Sequence, residues 1–72
     1  MLDVLLYRLT ASTIALFPEE GRQVARALPQ GSLVKVEKFT TERFIEVMWE
    51  GKRLTMFTQD LRERGERVTG AA

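Results

Sequence analysis

Between Ser32 and Thr58, apolar and polar side chains alternate along three successive runs. Val34 and Val36 alternate with Leu33, Lys35 and Glu37. Ile45, Val47 and Trp49 alternate with Phe44, Glu46, Met48 and Glu50, and Leu54 and Met56 with Arg53, Thr55 and Phe57. A period of two means strands with one buried face, so this stretch predicts a three-stranded meander. Glu50-Gly51 separates the second and third runs as a two-residue hairpin loop, with Gly supplying a positive φ. That loop pairs Trp49 with Lys52, Val47 with Leu54 and Ile45 with Met56 on one face. On the other face it pairs Glu46 with Thr55 and Phe44 with Phe57. A slip of one residue would send Val47 and Leu54 to opposite faces.

The turn before the second run admits two registers. A loop of Thr40 to Arg43 pairs Phe39 with Phe44 but sets Glu37 against Glu46. A loop of Thr40-Thr41 pairs Lys35 with Glu46 and Leu33 with Met48, yet two β-branched residues disfavour the positive φ of a tight hairpin. Cross-strand pairs contribute only about 0.2–1 kcal/mol each, so pairing alone does not choose. Both registers keep Val34 and Val36 on the face of Ile45 and Val47.

The flanks read less sharply. Leu5 to Phe17 is expected to form one long or bent strand, with Leu5, Tyr7, Leu9 and Ala11 inward, then Ile14 and Leu16 after a break near Ser12. Pro18-Glu19-Glu20-Gly21 and Pro29-Gln30-Gly31 read as turns. Arg22 to Leu28 has two readings. As a strand it leads into the Pro29 turn. As a helix it would place Val24, Ala27 and Leu28 on one face, with Glu19 and Glu20 at the positive end of the dipole. Gly21 in the first turn weakens the helix. After Phe57, Thr58 is expected to cap a short helical turn through Arg62, with Leu61 its apolar contact. Gly65 ends the turn, Glu66 to Val68 can add an edge strand, and 69–72 reads as a frayed tail. The expected core is Leu9, Ile14, Val34, Val36, Ile45, Val47, Trp49, Leu54, Met56 and Leu61. Trp49 could instead serve as an exposed binding anchor, but it runs in phase with Ile45 and Val47.

Seventy-two residues make one small domain. Such a domain buries about 60% of its unfolded surface, so its core is marginal. With no Cys and no His, disulfides are impossible and structural zinc lacks its commonest ligands. Packing, sheet hydrogen bonds and a second copy of the chain remain as stabilisers. A hydrophobic fraction of 44% with 29% charged residues suits a folded globular chain. The N-terminus shows neither a basic leader nor an apolar run long enough for a membrane span. A soluble cytoplasmic protein without membrane contact is therefore the expectation, unless the chain is a domain cut from a longer secreted protein.

The order of elements resembles a Src-homology-three-type small β-barrel of the bacterial kind. The resemblance is carried by Tyr7-Arg8-Leu9-Thr10-Ala11 as first strand and by Leu28-Pro29-Gln30-Gly31-Ser32-Leu33-Val34-Lys35-Val36 as turn and strand. Phe44 to Lys52 follows as central hairpin, and Phe57-Thr58-Gln59-Asp60-Leu61 as the helical turn before a final strand. It implies an all-β barrel of about five strands with one short helical turn near the C-terminus. Where those modules carry an aromatic before the central strand and a Gly-Trp pair entering the helical turn, this chain has Arg43-Phe44 and Met56-Phe57. A proline-reading groove also needs several exposed Tyr or Trp rings, and there is one of each. The resemblance thus implies a fold rather than a ligand.

Candidate chemistry is sparse. Without His or Cys the commonest nucleophile and base arrangements are missing. Glu19-Glu20 and Glu46 with Glu50 read as solvated carboxylates. No catalytic residue, cofactor or metal is expected. Lys52 and Arg53 at the hairpin tip, with Arg62, Arg64 and Arg67 near the C-terminus, form a candidate nucleic-acid surface. Interleaved Glu50, Asp60, Glu63 and Glu66 offset them, and eleven basic against ten acidic residues leave little net field. The second face of the meander carries Leu33, Phe39, Phe44, Met48 and Phe57. A patch of that kind marks a protein interface unless another strand covers it. Phe39, Phe44, Met48 and Phe57 are therefore candidate partner-binding residues. A non-catalytic module binding another protein or itself is the leading expectation, and nucleic-acid binding is the alternative.

Overall fold

The computed structural model describes residues 5–68. Seven strands and one helix follow one another: β1 (Leu6–Leu9), β2 (Thr13–Glu19), β3 (Arg22–Leu28), β4 (Leu33–Phe39), β5 (Phe44–Trp49), β6 (Lys52–Phe57), α1 (Thr58–Arg64) and β7 (Gly65–Val68). The strands form one antiparallel sheet in the order β3-β2-β6-β5-β4-β1-β7. The all-β expectation holds. The expected strand number is too low, because Leu5 to Phe17 divides at Ala11-Ser12 and Arg22–Leu28 is a strand. The sheet is not closed, since β3 and β7 each pair with a single neighbour. The helical segment has seven residues rather than a single turn, and the tail at 69–72 lies outside the described residues.

The β5–β6 hairpin has the register read from the sequence, from Phe44↔Phe57 to Trp49↔Lys52. Glu50 and Gly51 both have positive φ, 49° and 77°, as a primed two-residue turn requires. The same Glu-Gly pair recurs at Glu20 (49°) and Gly21 (78°). The turn there is Glu20-Gly21, flanked by Glu19↔Arg22, and Pro18 belongs to β2. A two-residue turn makes its flanking pair hydrogen-bonded, and bonded pairs alternate along an antiparallel ladder. Pro18↔Gln23 therefore falls on a non-bonded pair, so the missing N–H of Pro18 would have pointed at β6. Pairing of β2 with β6 comprises Ala15↔Met56 and Leu16↔Thr55 and ends before Pro18.

The β4–β5 pair resolves the open register by a bulge. Lys35↔Met48 and Val36↔Val47 follow the four-residue loop, and the register then shifts to Lys38↔Glu46 and Phe39↔Ile45. The inserted residue is Glu37, so Lys38 rather than Glu37 faces Glu46, and Glu37 instead approaches Lys35 at 3.5 Å. The opposing carboxylates are avoided by one extra residue. Thr41 closes the loop, its Oγ1 accepting the N–H groups of Arg43 and Phe44.

One face of the sheet surrounds a single core of Leu9, Ala15, Phe17, Leu28, Val34, Ile45, Val47, Leu54, Met56 and Leu61, with Tyr7, Val36 and Trp49 packed against it. Ile14 is not in that core; it is 45% exposed. The break before β2 puts Thr13, Ala15 and Phe17 inward and Ile14 and Leu16 outward. Buried Thr13 is tolerated because its hydroxyl donates to the Ala11 carbonyl at 2.9 Å. Nor does Thr58 cap α1. Phe57 holds the N-cap position without a side-chain bond. Thr58 Oγ1 is buried with no hydrogen-bond partner among the described residues.

Candidate interaction face

Register assigns the outer face of the sheet residue by residue. On β3 and β2, Ala27 faces Ile14 and Ala25 faces Leu16. Leu16 faces Thr55 on β6, and continuing that register by one step sets Ile14 beside Phe57. Phe57 faces Phe44 on β5. Ala27, Ile14, Phe57 and Phe44 thus form one apolar row across four strands, about 14 Å wide at ordinary strand spacing. The Phe44 and Phe57 rings lie 5.2 Å apart at 40°, a tilted contact within the favourable range. Phe57 is 38% exposed. Phe57 also lines a groove of about 430 Å³ together with Glu42, Arg43, Gln59 and Asp60. Along the strands a polar border follows, where Arg53 approaches Glu46 at 3.9 Å.

The four partner-binding candidates separate in the structure. Phe44 and Phe57 are brought together. Met48 shares their face, but Glu46 intervenes and Arg53 and Lys35 flank it. Phe39 is removed from the group because the Glu37 bulge turns it to the side of Ile45. There it is 64% exposed, at the rim of a cavity of about 210 Å³ that Tyr7, Val36, Thr58, Leu61 and Arg62 also line. Ile14, Leu16, Ala25 and Ala27 join the face without having been expected there. The signal was hidden because Thr13 to Phe17 is apolar at both parities save for one threonine.

The basic candidates do not converge. Lys52 and Arg53 open β6, whereas Arg62 and Arg64 lie in α1 beyond its far end, a separation of about 20 Å along the strand. Arg64 is tied down, its guanidinium donating to the Ser12 carbonyl at 3.3 Å. Its own carbonyl accepts both the N–H and the hydroxyl of Thr10. Arg67 lies on the β7 edge opposite Tyr7.

No family model, curated protein or solved structure matches this chain. The outer face must therefore be interpreted from its own geometry. Among the described residues no three His, Cys, Asp or Glu side chains cluster as metal ligands. No helix there is long and apolar enough to cross a membrane, a statement that does not extend to strands.

Proposed function

We propose that this chain is a non-catalytic interaction module that docks a protein partner on the face centred on Phe44 and Phe57. The observation that carries the reading is the Phe44↔Phe57 pair on the solvent side of the sheet, which the register of β2 against β6 extends to exposed Ile14 and its partner Ala27. Single exposed apolar residues need no explanation, but a contiguous patch with a polar rim is the signature of an interface. The rim supplies Glu42, Arg43 and Asp60, which suits a partner segment with an apolar anchor and charged neighbours of both signs. The scaffold is proposed as an open variant of the Src-homology-three-like barrel. An antiparallel sheet with one core cluster and a short helix before the final strand support that assignment.

The test is site-specific photocrosslinking from a benzophenone side chain at position 57 in cells, with a second probe at Gln30 as reference. The reading expects one defined adduct from position 57 that disappears with Phe44→Ser. Equal, diffuse labelling from both sites would remove it. The nucleic-acid alternative draws less support from two basic groups at opposite ends of β6, and filter binding at low salt checks it directly.

A further inference from the structure

The two edges of the sheet differ. At one end β7 is only four residues long and carries Glu66 and Arg67, features that blunt an edge. At the other end β3 runs seven regular residues and pairs with β2 alone. Bonded pairs alternate from Glu19↔Arg22, so Arg22, Val24, Arg26 and Leu28 direct their backbone groups to β2. Gln23, Ala25 and Ala27 direct theirs away from the sheet. All three side chains are exposed, and no proline or bulge interrupts the strand. Arg26 does not guard this edge, because Glu19 holds its guanidinium by bonds of 2.9 and 3.1 Å.

We propose that β3 is an association edge for a second copy of this chain, joined antiparallel about a two-fold axis at Ala25. Ala25 is the midpoint of Arg22–Leu28, and it is one of the residues whose N–H and C=O point outward. Centred there, Ala25 pairs with its own copy, and Gln23 pairs with Ala27 of the second copy in both directions. Two hydrogen bonds form at each of these three pairings. Matching of the outward backbone groups selects this alignment, and the arginine charges, which Glu19 offsets only at Arg26, favour it further. Centring on Ala25 sets Arg22 against Leu28 and Arg26 against Val24. Shifting the centre by one residue to Arg26 puts that arginine opposite itself, and shifting it to Val24 puts Arg22 opposite Arg26. Like charges directly opposite are destabilising. A two-fold contact must be self-complementary, and among these alignments only the Ala25-centred one keeps the arginines apart while matching all the outward groups.

The proposal does not depend on the aromatic face, and the experiment separates the two. Sedimentation equilibrium across a concentration series should give a monomer–dimer equilibrium for the natural chain. Ala25→Pro removes an N–H that no intramolecular bond uses. It should weaken association by about 30-fold, equivalent to two lost hydrogen bonds, while far-ultraviolet circular dichroism stays unchanged. Phe57→Ser should leave the equilibrium intact. Amide exchange on the natural chain reads the same edge without any variant: the Gln23, Ala25 and Ala27 amides should become protected as concentration rises. A chain monomeric at millimolar concentration overturns the proposal. So does a dimer abolished by Phe57→Ser with those three amides still unprotected, an outcome that would move self-association to the aromatic face.

Discussion

Single atoms at Thr58, Glu50 and Gly65 set measurable costs. A buried hydroxyl without a partner loses its hydration and gains nothing in return. Among the described residues Thr58 Oγ1 is in that position, so Thr58→Val should raise the melting temperature or leave it unchanged. A capping threonine would instead lose about 1 kcal/mol, and a thermal melt distinguishes the two roles. Glu50 sits at φ 49°, where a side chain without local hydrogen bonding costs roughly 1–2 kcal/mol. Glu50→Asn, the residue preferred in a primed turn, should stabilise the chain, with a gain of up to about 1 kcal/mol by denaturant titration. Gly65 is constrained differently. Its backbone is extended, with φ −109°, but a Cβ there would collide with the Leu61 carbonyl and crowd the Tyr7 ring. Gly65→Ala should destabilise by about 1–3 kcal/mol. The sequence marks Gly65 as a helix end but not as a point of close approach, which needs the helix docked beside β1.

Legibility of the elements follows from how many constraints act on each one. The β5–β6 hairpin is readable because its loop, its alternation and its cross-strand pairs all demand one register. The β4–β5 pair shows what happens when they conflict. Neither uniform register satisfies both the loop and the charges, and the chain keeps the four-residue-loop register only at Lys35 and Val36; a bulge at Glu37 then shifts it by one residue, to a pairing neither loop predicts, so that Lys38 meets Glu46. Lys38→Glu should restore the repulsion that the bulge avoids, at a cost of about 0.2–1 kcal/mol. Added salt should shrink that loss in chemical denaturation, because the pair is at the surface. For the candidate face, Phe44 and Phe57 were legible from alternation alone. Ile14 and Leu16 were not, because β2 is apolar on both faces and only its starting residue decides which set turns inward. Phe39 misled for the complementary reason: one inserted residue upstream reverses its side.

For the molecule as a whole, nearly every element contributes to one small core, so its stability is shared and easily lost. Leu54 is 1% exposed at the centre of β6. Leu54→Ala should cost about 2–5 kcal/mol, a large part of what a domain of this size has available. Global unfolding in urea, followed by circular dichroism, measures it. The cooperative unit has a weaker region, however. Ladder pairing of β2 with β6 stops at Leu16, short of Pro18, so towards Glu20-Gly21 the β2–β3 ribbon lies beside the start of β6 across a groove rather than a continuous ladder. Phe17 sits where the ladder ends, its ring in T-shaped contact with Trp49 at 5.9 Å and 84°. Any swing of the ribbon away from β6 must disturb that T-shaped contact with the indole. The single tryptophan of the chain is thus a built-in gauge of ribbon motion, and its emission should respond when the free end of the hairpin is pinned or cut, before the core itself gives way.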